Sequence, residues 1–243
     1  MTDEKPSVAR YRICVVNGVF VSGGSDDDGR VRPPHVFSML AEHLTAATGM
    51  RAVALWPYCD RHVFNLHDFA ALTRRSMMRY SAHLAEGIRD EVARNPLAPD
   101  ETLAFVVYSG GVPVVQTAAH LLRSEMRTGA YVFFGAALRP RMAPRNWADG
   151  TQVGVVLGAH DWVQGVYPRI PRPWQHDAQP RMLSRLQSSL PPETRYHTLQ
   201  CNHWPGYFTP ETWPALVNAI TDLLVPGTMP VNGDQAGQAG KAG

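Results

Sequence analysis

Lysine is nearly missing from this chain: of 243 residues only Lys5 and Lys241 are lysines, so almost all 23 basic side chains are arginines. Set against 21 acidic residues they leave a formal net charge of +2. That is too little to mark a nucleic-acid footprint, which needs a concentrated basic patch. Cysteine is also sparse. Cys14, Cys59 and Cys201 are an odd number without metal-ligand spacing, which argues against a disulfide framework and a cysteine-held metal. Cys14 and Cys201 fall in strand-like runs and are expected to be buried thiols. No apolar run approaches the ~20 residues that a membrane-spanning helix needs. The opening residues, Met1 to Pro6, are polar and lack the apolar core of a secretory signal. These absences favour a cytoplasmic protein without disulfides, cofactor or metal, and no internal repeat is visible.

What is present is enough for a sizeable core. Hydrophobic residues make up 44% of the chain and charged ones 18%, the balance of one globular domain. That domain is expected over residues 11–225, between an N-terminal tail (1–10) and a C-terminal tail (226–243). The C-terminal tail is rich in Gly, Ala and Gln and poor in large apolar side chains, so disorder is expected there. The continuous apolar run Leu103 to Val107 suits a strand buried on both faces of a parallel sheet, and Tyr11 to Phe20, Ala52 to Tyr58, Ala130 to Ala137 and Gln152 to Leu157 read as further strands. Thr194 to Cys201 reads as the last strand, with Tyr196, Thr198 and Leu199 giving it strand character.

Helical patterns alternate with these strands. Pro33-Pro34 opens one that Gly49 closes. A long amphipathic pattern reaches Ile88 and ends at Asn95-Pro96, a third is expected from the glycines after Ser109 to near Arg127–Gly129, a fourth near Pro180 to Ser189, and a fifth follows Thr209. The stretch 59–80 is the most unusual, mixing Phe64, Phe69, Met77 and Met78 with His62, His67 and Asp68. It reads either as crossover helix or as a lid, since long connections are where lids are found.

The most informative stretch is Leu103-Ala-Phe-Val-Val-Tyr-Ser-Gly-Gly-Val112. The apolar run leads straight into Ser109-Gly110-Gly111 with no loop residues to spare. A strand that turns so abruptly into a helix puts Ser109 on a strained corner, hydroxyl outward, at the positive end of a helix dipole. Residues two away from that serine must be small; Gly111 complies and Val107 complies less well. Here the sequence resembles the α/β-hydrolase family, whose nucleophile elbow reads small-x-nucleophile-x-small. The resemblance implies a mostly parallel sheet of about six strands flanked by helices. Only residues 138–150 separate two strands where many relatives insert a cap domain, so it also implies a minimal, uncapped form.

The same resemblance supplies the remaining roles. Gly158, Asp161 and Val163 match the Gly-x-x-Asp-x-Val pattern that carries the family's acid, with Asp177 as runner-up in a Pro- and Arg-rich loop. Asn202-His203-Trp204, after the last strand, matches the presentation of the base, while His197 lies inside the strand, where a packed histidine is expected, and His160 lies beside the acid. Asn17-Gly18 stands where a His-Gly pair is common, which makes the backbone N–H of Val19 an oxyanion donor alongside that of Gly110. Tyr108, Trp162, Trp204, Phe64 and Phe69 are candidate pocket walls.

The chemistry behind this set is direct. A serine hydroxyl is a poor nucleophile at neutral pH and needs an oriented base within reach. His203 would take and return the proton, and Asp161 would hold its second ring nitrogen. The implied activity is a serine hydrolase acting on a carboxylic ester or thioester of a hydrophobic small molecule, through an acyl-enzyme. Arginine leaves room for an acidic handle, such as a carrier-linked thioester. Two other readings stay open: a lyase or cyclase of specialised, polyketide-type metabolism with His203 and Asp161 as its acid–base pair, and a non-catalytic binder.

Overall fold

The structure, a computed structural model, describes residues 9–18, 24–25, 31–32, 35–57, 74–135, 150–161, 190–202 and 206–225. Six strands form one sheet: β1 (Arg10–Val16), β4 (Ala52–Leu55), β5 (Glu101–Tyr108), β6 (Thr128–Phe134), β7 (Gln152–Gly158) and β8 (Arg195–Leu199). Their spatial order is β4-β1-β5-β6-β7-β8, and every neighbouring pair is parallel. Two very short strands, β2 (Gly24–Ser25) and β3 (Val31–Arg32), pair as a separate antiparallel ribbon within what the sequence reads as a polar loop.

Among the described residues, four helices cover the sheet: α1 (His35–Thr48), α2 (Arg74–Arg94), α3 (Val112–Leu122) and α4 (Trp213–Leu224). The pleat sends alternate residues of each strand to opposite faces, and both faces are apolar. Cys14, Phe105 and Val107 meet Leu84 and Ile88 of α2 and Val115 of α3 on one side. Ile13, Val15 and Val106 meet Phe37 and Leu40 of α1 and Ile220 of α4 on the other. This double cover is why the strands read as unbroken apolar runs rather than as alternating ones. It also makes Cys14 and Cys201 the buried thiols expected of them.

From β1 the chain moves outward to β4; β5 then pairs on the other side of β1 and is followed outward by β6. The strand order therefore reverses between β1 and β5. In open parallel sheets such a reversal opens a crevice outside the carboxyl ends of the two strands.

Two details depart from expectation. Helix α3 stops at Leu122, well short of Arg127, because the N–H groups of Glu125 and Met126 both turn back to the Leu122 carbonyl at 2.8 Å. Arg127 is by then already paired with β5, its carbonyl accepting from Leu103 N at 2.9 Å. His197 is not packed in the core: it is partly exposed, with Nε2 2.9 Å from Oδ2 of Asp222. Several arginines have structural partners. Arg12, buried at the amino end of the sheet, bonds Glu101 and the carbonyls of Asn95 and Pro96. Arg51 pairs with Glu91, and Arg89 with Glu125. No described helix is long and apolar enough to cross a membrane. The expected N-terminal tail ends earlier than residue 10, since Arg10 already pairs in β1; residues 1–8 and 226–243, the regions 59–73 and 180–189 and most of the connection 138–150 lie outside the described residues.

Burial makes this core sensitive to alkali. It pushes the Cys14 thiol from 9.0 up to about 12, Cys201 from 9.0 up to about 11 and the Tyr131 phenol from 10.0 up to about 12. Above pH 9 the unfolded chain releases protons that the folded chain retains, so stability falls as pH rises. Thermal melts are expected to drop steadily between about pH 9 and about pH 11, less steeply in a Cys14→Ala/Cys201→Ala variant. A melting temperature that stays level over that range would contradict the burial of these groups.

Candidate active site

Strand β5 ends at Tyr108, and a single 3-10 turn, Ser109–Gly111, passes directly into α3. Ser109 has φ 49°, and it is the only non-glycine with positive φ among the described residues. A left-handed residue with a β-carbon costs about 1–2 kcal/mol, so its surroundings must hold it there. They do so through contact between two main chains. A β-carbon on Gly18 would lie 2.7 Å from Ser109 Cβ and 2.8 Å from the Tyr108 carbonyl. One on Gly111 would lie 2.7 Å from the Asn17 carbonyl and 3.1 Å from Val107 Cγ1. The end of β1 and the elbow thus fit together only because both residues are glycines. Val107 is accommodated on the strand side because Gly111 has no side chain to meet it.

Asn17, fully buried, donates from Nδ2 to the Gly18 carbonyl at 3.2 Å. Its Oδ1 has no hydrogen-bond partner among the described residues. Val19 lies outside the described residues. Gly110, whose N–H is the other expected oxyanion donor, is buried within the turn.

Asp161 follows β7 and is 6% exposed. The loop that carries it is bonded to the chain leaving β8: Ala159 N donates to the Leu199 carbonyl at 2.8 Å, and His160 N to the Cys201 carbonyl at 3.0 Å. Gly158 permits this approach, because a β-carbon there would lie 2.8 Å from the Cys201 carbonyl. The acid loop and the end of the last strand therefore share one edge with Ser109, as strand register requires: Tyr108 pairs with Phe134, Phe134 with Val156, and Gly158 with Leu199. His160 points to solvent. His203 lies outside the described residues, as do Trp162, Trp204, Phe64, Phe69 and the runner-up acid Asp177.

Tyr108 is 1% exposed, its ring packed among Phe37, Phe134, Tyr207 and Phe208. Burial first, and then the Asp161 charge, push its phenol well above its ordinary value. Tyr207, which the sequence reading did not single out, donates its hydroxyl to Asp161 Oδ2 at 3.1 Å from a fully buried position. No periodicity marks it, since it sits in a 3-10 turn, Gly206–Phe208, between a strand and a helix. Among the described residues, no cluster of His, Cys, Asp and Glu is arranged to hold a metal ion.

The fold has counterparts among solved proteins. A carboxylesterase from Mesorhizobium loti superposes with a TM-score of 0.52 at 15% identity, over 86% of this chain and 87% of that one. The chain has the α/β-hydrolase fold. A dienelactone hydrolase-like promiscuous phosphotriesterase from metagenomic libraries matches at TM-score 0.48 and 18% identity, over 91% of this chain and 88% of that one. Est1E from Butyrivibrio proteoclasticus matches at 0.48 and 12%, over 90% of each chain. No family model and no curated protein matches the sequence. At these identities the α/β-hydrolase likeness is one of fold.

The elbow contact makes a stability prediction. Gly18→Ala and Gly111→Ala should each destabilise by about 1–3 kcal/mol through overpacking. Gly87→Ala should be neutral or stabilise by about 0.5–1 kcal/mol, because that helical site has nothing within 4 Å of the new methyl. Urea denaturation of the three variants measures this; a Gly18→Ala protein as stable as wild type would rule out the close approach.

Proposed function

We propose that this protein is a serine hydrolase that cleaves a carboxylic ester or thioester of a hydrophobic small molecule through an acyl-enzyme. Ser109 is the nucleophile, His203 its base and Asp161 the acid that orients the base. The backbone N–H groups of Gly110 and Val19 stabilise the oxyanion. The observation that carries this reading is the left-handed Ser109 at the carboxyl end of a central strand, with φ 49°. Strain of that kind is costly, and a left-handed serine between a strand and a helix is the conformation of a nucleophile elbow.

Asp161 supports the same reading. Its strand stands two places along the sheet from that of Ser109, a separation on the order of 10 Å. That is too far for direct contact and suits an imidazole between them. His203 follows Cys201, whose carbonyl is already bonded to the acid loop. In the reaction, Ser109 Oγ attacks the carbonyl carbon as His203 removes its proton. The carbonyl oxygen becomes the oxyanion, and His203 returns the proton to the departing alcohol or thiol. Water then repeats the sequence on the acyl-enzyme.

Intact-mass labelling with a fluorophosphonate tests this. One adduct per chain is expected on wild type and none on Ser109→Ala. Labelling should slow by about a hundred-fold or more in His203→Ala and Asp161→Asn, the range lost with a general base. A folded wild type that takes no adduct would overturn the assignment and favour an acid–base lyase or cyclase.

A further inference from the structure

We propose that Tyr207 is a positioning residue for Asp161: its phenol holds Oδ2 of the carboxylate and sets the orientation in which the other oxygen meets the base. This rests on the serine hydrolase reading above. The contact is a buried hydrogen bond of 3.1 Å between a carboxylate 6% exposed and a phenol fully buried. A carboxylate so deprived of water depends on donors from the protein, and bonds to a charged acceptor are the stronger kind.

The phenol has little freedom to do anything else. Its ring lies edge-on to Tyr108 and Phe134, at centroid distances of 6.1 and 5.9 Å. A β-carbon on Gly158 would fall 2.9 Å from the phenol oxygen and 2.9 Å from Asp161 Cβ, so the bare glycine is what lets the two groups meet. Burial, followed by the Asp161 charge, pushes the Tyr207 phenol far above its ordinary value. The hydroxyl therefore remains a donor across the working pH range. Tyr207 also lies only four residues beyond His203 (207 − 203 = 4). The segment that brings the base thus also carries the group that fixes the acid.

A donor on Oδ2 stabilises the ionised carboxylate and draws charge away from the oxygen that faces the imidazole. Without that donor, more charge faces the base, and the base holds its proton to higher pH. The experiment is the second-order rate of fluorophosphonate labelling against pH, on the full chain. Tyr207→Phe, which retains the ring, is expected to label about ten-fold more slowly near neutral pH, the loss of one charge-assisted bond. Its acid limb should move to higher pH. In an Asp161→Asn background the same substitution should cost nothing further, because the phenol acts through the carboxylate.

A merely structural tyrosine would lower stability without moving the limb. Gly158→Ala, which wedges a methyl between phenol and acid, is a second variant and should move the limb the same way. An unmoved limb in both variants, or an equal loss in the Asp161→Asn background, overturns the role of Tyr207 alone. Absence of labelling on wild type overturns the hydrolase reading and this inference with it.

Discussion

Two main chains in contact at the carboxyl edge of the sheet set the terms for everything around them. Gly18, beyond the end of β1, lies against Ser109, and Gly111, at the start of α3, lies against Asn17. Overlap on this scale leaves no place for a side chain at either glycine. It also explains how a serine persists at φ 49°: the elbow cannot relax toward a right-handed turn without driving into β1. Steric contact with a neighbouring strand thus confines Ser109.

The reversal of strand order gives that contact its place. Because β1 and β5 are adjacent while their connections leave in opposite directions, their carboxyl ends bound a crevice. On the other flank, the loops after β7 and β8 are joined by backbone bonds from Ala159 and His160 to Leu199 and Cys201. Tyr207 then connects the two flanks. Its ring contacts Tyr108, the residue before the serine, and its hydroxyl contacts Asp161. A single buried aromatic cluster, with Phe37, Phe134 and Phe208, therefore supports both the elbow and the acid from beneath.

The central strands of the main sheet were legible because they are buried on both faces, and unbroken apolar runs such as Leu103 to Val107 record that directly. Helix ends were less legible. The end of α3 depends on where Arg127 joins β5, a pairing between distant parts of the chain that local composition does not contain. The β2–β3 ribbon was missed because each of its strands is only two residues long, too short for an alternating pattern. His197 carries strand character in the sequence, but its partner Asp222 comes from α4, across the sheet edge.

By itself the sequence determined the class of fold, the turn at Ser109 and the loop that bears Asp161. Each of these depends on neighbours along the chain: an apolar run, two glycines, a Gly-x-x-Asp spacing. Only the tertiary structure decided that Gly18 must be bare and that Tyr207 reaches the acid. Those outcomes depend on distances between segments some fifty to ninety residues apart, and packing at that range follows from how the sheet is ordered, not from any local pattern.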